Sequence, residues 1–204
     1  MYKKLITACM ALAAFVAFVI APMAQSAVLT ENGTALAVGS SFTTKNEGVT
    51  RFTGGWGLGC EVVHLQGKVT KNSESTVAGE IPVGSATFTN AGGAACSSEL
   101  GASTVKVTSK LCLSIAKGSH NLMVTGCAGA PITFDLTAAG IVCKYEASSF
   151  SASISTNVTP APATLFDQLA VEEFPRQFFC PDEGKIDTTF RFYTTGGTTG
   201  LTFS

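Results

Sequence analysis

A disulfide-stabilised β-sandwich, immunoglobulin-like or jelly-roll-like, is the fold class this sequence predicts, and three observations carry the prediction. Four cysteines, Cys96, Cys112, Cys127 and Cys143, recur at intervals of 16, 15 and 16 positions. That interval is about the length of one β-hairpin. Short β-prone runs lie between them: Val105–Thr108, Leu111–Ile115, Leu122–Val124, Ile132–Leu136 and Ile141–Tyr145. Glycine, asparagine and serine punctuate the runs, and burying one face of each sheet against another is the standard solution for such a chain.

Residues 1–27 have the ordered parts of a secretory signal peptide. Lys3 and Lys4 precede an apolar run from Leu5 to Ile20, Pro22 ends it, and Ala24-Gln25-Ser26-Ala27 offers small residues for cleavage. Ile6-Thr7-Ala8-Cys9 imitates a lipoprotein box but precedes the hydrophobic core instead of following it. Residues 28–204 then form the expected single β-sandwich domain, with 11 basic against 14 acidic residues and a formal charge of −3. A mildly acidic chain with dispersed basic residues lacks the footprint of a nucleic-acid binder. No further apolar run is long enough to span a bilayer as a helix. The expected location is secreted, extracellular or attached to the cell envelope.

Six cysteines remain in that domain: Cys60, Cys96, Cys112, Cys127, Cys143 and Cys180. An even number in an exported chain favours three disulfides. Fifteen pairings are open to six cysteines; spacing favours the sequential one, Cys60–Cys96, Cys112–Cys127 and Cys143–Cys180. With no C-x-x-C pair and only His64 and His120 available, no metal or cofactor site is expected.

In chain order, Asn32-Gly33 is a hairpin-turn dipeptide, since both central positions of that turn need positive φ. Strands are expected at 41–44 and 49–53, divided by a turn at Lys45–Gly48. Gly54-Gly55-Trp56-Gly57-Leu58-Gly59-Cys60 holds the one tryptophan among four glycines. Trp56 reads either as a core aromatic beside a disulfide or as a platform for a sugar ring, the former carrying more weight. Glu61–Thr70 is the strongest strand. Cys60, Val62, His64 and Gln66 share one face there, and Val63, Leu65, Gly67 and Val69 the other. His64 reads as a half-buried polar group before it reads as a site residue.

Strands at 76–81 and 85–89 lead to the cysteine block. Beyond it, Phe150, Ala152 and Ile154 alternate with serines. The stretch 164–174 has both helical and strand spacing, and its β neighbours favour a strand with Leu165, Asp167, Leu169 and Val171 on one face. Ile186, Thr188, Phe190 and Phe192 point inward from the last long strand.

No Gly-x-Ser-x-Gly elbow occurs. Gly118-Ser119-His120 reads as a turn, and Asp182–Asp187 lacks the alternating acids of a calcium loop. Asn32-Gly-Thr34 and Asn157-Val-Thr159 fit the glycosylation triplet.

Several short stretches together resemble a group of uncharacterised small secreted bacterial β-rich proteins with paired cysteines. They are Leu29–Thr34, Leu65–Asn72, Cys96-Ser-Ser, Leu111-Cys-Leu113, Cys143-Lys-Tyr145 and Cys180-Pro181. Leu111 stands where that group tends to carry an aromatic. The resemblance implies export and a β-fold, and transfers no active site.

The expected function is non-enzymatic and structural or adhesive, with self-association as the contact. The alternative is a carbohydrate- or small-ligand-binding module that meets a cell-surface glycan, with Trp56, Tyr145 and Tyr193 as stacking surfaces. A secreted hydrolase built on paired acids is the remote third.

Overall fold

A computed structural model describes residues 28–54, 56–172 and 178–204; the expected signal peptide at 1–27 lies outside the described residues. The described chain is almost all strand. In order these are β1 Leu29–Glu31, β2 Thr34–Ala35, β3 Ser41–Thr53, β4 Leu58–Cys60, β5 Val62–Ser73, β6 Thr76–Ile81 and β7 Ala86–Thr89. There follow β8 Cys96–Ser98, β9 Gly101–Val107, β10 Leu111–Ala116, β11 Asn121–Gly126, β12 Ile132–Ala138 and β13 Ile141–Ala147. The last are β14 Ser149–Ile154, β15 Pro162–Glu172, β16 Glu183–Thr194 and β17 Leu201–Phe203. Two single 3-10 turns, Ala91–Gly93 and Cys127–Gly129, are the described helical pieces.

Every pairing is antiparallel, and the partners close on themselves twice. One circuit runs β3–β16–β15–β14–β11–β10–β6–β5 and back to β3. The other runs β3–β16–β15–β13–β12–β9–β8–β4 and back to β3. The sandwich-like layers thus face one another across one apolar core and join at their edges. Closure leaves few open strand edges.

Three long strands, β3, β15 and β16, belong to both circuits; β16 keeps the same two neighbours throughout, while β3 and β15 each change partners at an irregularity. On β3 the register with β16 moves from Glu47↔Thr189 to Arg51↔Asp187, so two extra residues bulge around Gly48, whose φ is +74°. The expected turn at Lys45–Gly48 is therefore a bulge inside one continuous strand. Both features need a polar residue and a left-handed glycine, so they share a sequence signature. On β15 a second irregularity lies between Leu165 and Gln168. It breaks the single face expected for Leu165, Leu169 and Val171: Leu165 is buried while the other two are exposed.

Where β3 leaves β5, a side chain replaces the ladder. Main-chain pairing ends at Lys45↔His64. The Asn46 amide then accepts from Val63 N–H (2.8 Å) and donates to the Glu61 carbonyl (3.1 Å). Asn46→Ala should cost about 1–3 kcal/mol, because it strands backbone groups of β5 without partners; a chemical melt comparing it with Asn46→Asp checks this.

A separate three-stranded sheet, β17–β1–β2, closes one end of the first circuit. Leu29, Leu201 and Phe203 are buried there, and Phe203 meets Phe192 edge-on at 5.3 Å. Asn32-Gly33 is the β1–β2 turn, with φ of +48° and +79° as expected.

The three disulfides pair as spacing suggested: Cys60–Cys96, Cys112–Cys127 and Cys143–Cys180. Their work differs. Cys112–Cys127 crosses the single β10–β11 hairpin. The other two hold the second circuit at its weakest seams. β4 and β8 share two residue pairs, and so do β13 and β15. Three disulfides are the mark of an oxidising, non-cytoplasmic compartment. Among the described residues no helix is long and apolar enough to cross a membrane.

Candidate functional site

The three aromatic side chains expected to stack on a ligand end up apart. Tyr145 is 2% exposed on β13, its ring stacked on Phe134 at 5.7 Å. It offers no face to a ligand, because the second circuit closes around it. Its hydroxyl donates to the Pro181 carbonyl at 3.0 Å. Burial first, then the carboxylates of Glu172 and Asp182, push its pKa up to about 12.

The neutral phenol is thus favoured by the fold, and its contribution is complete below the unfolded pKa near 10 and lost as pH rises towards 12. The loss should reach roughly 2–3 kcal/mol. Tyr145→Phe should flatten this alkaline limb in thermal melts taken from neutral pH to pH ~11.

Trp56 packs against the core at the far end of the second circuit, beside Phe52, Phe134 and Tyr145. Its indole N–H is enclosed without a partner among the described residues. This is the placement expected of a core aromatic beside a disulfide-bearing strand. Tyr193 alone lies on an outer face, half-buried on β16, with the Lys45 ammonium 5.1 Å from its ring centre.

That outer face carries the one large polar groove described. β16, β3, β5 and β7 lie side by side, and their registers set two rows of outward side chains. One row is Arg191, Lys45, His64 and Thr87; the next holds Tyr193, Thr43 and Gln66. Along β3 and β5, Ser41 faces Lys68 one step further. Two loops rise beside this floor, Pro82–Ser85 on one side and Thr195–Gly197 on the other. Together they enclose about 550 Å³.

Local chemistry explains the walls. The Lys45 ammonium donates to the Gly197 carbonyl at 2.8 Å and so pins the second loop over Thr43. Gly197 has a φ of +68°, which favours glycine, and a Cβ there would push the Lys45 ammonium, 2.6 Å away, out of its place. The Ser85 carbonyl accepts from Gln66 N–H at 2.9 Å, which seats the first loop on β5.

His64 lines the groove, half-buried and directly across from Lys45 on one side and Thr87 on the other. The sequence had placed it in phase with Cys60. Glu61 instead separates the two strands, so Cys60 turns inward while His64 turns out. Sequence reading missed the rest of the floor, because Thr43, Gln66, Lys68 and Thr87 are ordinary outward residues until the registers align them.

Among the described residues the lining contains no Asp or Glu. Two acids on neighbouring strand positions are engaged elsewhere: Glu47 holds Arg191 at 2.7 Å, and Glu80, across from Lys68, holds Lys110 at 2.5 Å. The floor is therefore a set of hydroxyls, one amide, one imidazole and two ammonium groups on a rigid sheet. It can donate and accept hydrogen bonds at many points, and it lacks the paired carboxylates of a glycoside hydrolase.

A void of about 90 Å³ inside the core is lined by residues such as Phe52, Leu113, Val124 and Phe134. The rest of its lining is mostly apolar too, with Thr44, Thr50 and Thr188 as the polar members. Among the described residues no group of three or more His, Cys, Asp or Glu side chains is placed to hold a metal. Comparison with protein-family models, with curated protein sequences and with solved structures finds no match to this chain.

Proposed function

We propose that this chain is an exported, non-enzymatic adhesive module that binds a saccharide in the groove over β3 and β5. One observation carries the reading: a polar, carboxylate-free floor of sheet side chains, walled by two loops. Sugars present many hydroxyls in fixed array, and a rigid floor of donors and acceptors meets them without first being ordered. The three disulfides fit a placement outside the cytoplasm.

The test is a saccharide panel titrated against the protein and against Ser85→Trp, which places an indole at the groove's edge. Binding that vanishes in Ser85→Trp while the melting point stays put is the expected result. Undiminished binding would move the site elsewhere.

A second reading, self-association, is favoured by a different surface. Phe166, Leu169 and Val171 on β15, with Phe178 and Phe179 before Cys180, are all exposed. Phe178 and Phe179 stand edge-to-face at 5.1 Å. Light scattering over a wide concentration range separates the two readings. Growth into assemblies favours this surface as a contact between copies, and a constant monomer mass removes it.

A further inference from the structure

We infer that the ligand of the groove is an acidic polysaccharide, one bearing carboxylate or sulfate groups along its length; this rests on the groove being a saccharide site. Positive charge sits at both ends of the floor. Lys45 and His64 are cross-strand neighbours at one end of the floor, and Lys68 stands four residues along β5 at the other. Four strand residues span about 13 Å. Thr43 and Gln66 lie between them, so the floor reads cation, neutral donors and acceptors, cation. A polymer with repeated anionic groups can meet both ends at once, while a small anion meets only one.

The groove is positive within an acidic chain. Residues 28–204 carry a formal charge of −3, so a polyanion is repelled by the molecule as a whole and drawn only to a local patch. Lys68 is exposed and makes no ion pair among the described residues, since the Glu80 carboxylate opposite is taken by Lys110. An exposed ammonium at one end of the floor and a pinned one at the other, with Glu80 and Glu47 engaged by Lys110 and Arg191, is an arrangement that internal pairing does not explain.

The experiment uses the oxidised protein purified after export. Calorimetric titrations compare polygalacturonate, dextran sulfate, unsubstituted dextran and sodium sulfate at about 50 and about 300 mM NaCl. The acidic polymers should bind at least about tenfold tighter than dextran at low salt, and the advantage should shrink at high salt. Lys68→Gln should weaken the acidic polymers about fivefold with an unchanged melting point, whereas Lys117→Gln, in the β10–β11 turn, should change nothing.

Comparable affinity for dextran and the acidic polymers, with Lys68→Gln silent, would overturn the charge assignment and leave the saccharide site standing. Failure of every polymer to bind would overturn the saccharide site and this inference with it. If sodium sulfate at matched charge concentration displaced the polymers completely, the site would be one for a small oxyanion, and the polysaccharide assignment would fail.

Discussion

Gly67→Val is expected to destabilise the protein by about 3 kcal/mol or more, enough to unfold a domain of ordinary stability at moderate temperature. Gly67 sits on β5 directly opposite Phe42 on β3. A Cβ at this position would enter the Phe42 ring and stand 2.6 Å from the Glu80 carbonyl. The ring lies in a slot left open by two glycines, since a Cβ on Gly79 would also come within 3.0 Å of it.

Neither neighbour can give way. Glu80 O belongs to the β5–β6 ladder, and Phe42 is 4% exposed against Phe192, with ring centres 5.8 Å apart. Gly57 is the contrast: its Cβ direction is open and its φ is ordinary. Gly57→Ala should leave the denaturation midpoint unchanged within about 0.5 kcal/mol. Urea melts of both variants check the pair, and a Gly67→Val protein as stable as the parent would show that β3 and β5 do not approach as described.

The second large effect is expected from removing Cys60–Cys96. The double variant Cys60→Ala/Cys96→Ala should lose about 4 kcal/mol, on the chain-entropy argument for a loop of 36 residues. Cys112→Ala/Cys127→Ala, closing only 15, should lose about 1 kcal/mol less. The location of the damage matters as much as its size. Cys60 and Cys96 are wholly buried where β4 meets β8, and two residue pairs join those strands. Without the bond this seam should open first, exposing β4, β8 and β9 to hydrogen exchange while the β10–β11 hairpin stays protected. Uniform loss of protection would mean that the two circuits melt as one and that the seam is no weaker than its neighbours.

How far the sequence could be read follows from what each element depends on. Strands with clean alternation, such as Phe150, Ala152, Ile154 and Ile186, Thr188, Phe192, are buried in the expected phase, because period-two patterning reflects one face against a core. Cysteine spacing anticipated the disulfides because each pair closes a stretch that is local in the chain. The bulges at Gly48 and after Leu165 were not legible, since a bulge and a turn use the same residues, and partner choice decides between them. The two circuits were hidden for the same reason. They depend on long-range pairings such as Ser41↔Lys68 and Tyr145↔Glu172, which leave no local mark.

The groove was the least visible part. Aromatic residues drew the eye to Trp56 and Tyr145, yet scarcity and size mark them equally well as core, where the structure puts them. Its floor is assembled from threonine, glutamine, lysine and histidine on strands that are far apart in sequence. Only the register of β16, β3, β5 and β7 brings them together.

The most direct test of this account is an amide-resolved titration of the oxidised protein with the tightest-binding saccharide, following backbone chemical shifts by NMR. The account predicts shifts confined to Ser41–Lys45, His64–Lys68, Pro82–Thr87 and Thr195–Gly197. Shifts centred instead on Phe166, Leu169, Val171 and the Phe178–Phe179 pair would contradict it and place recognition on β15 and the segment before Cys180.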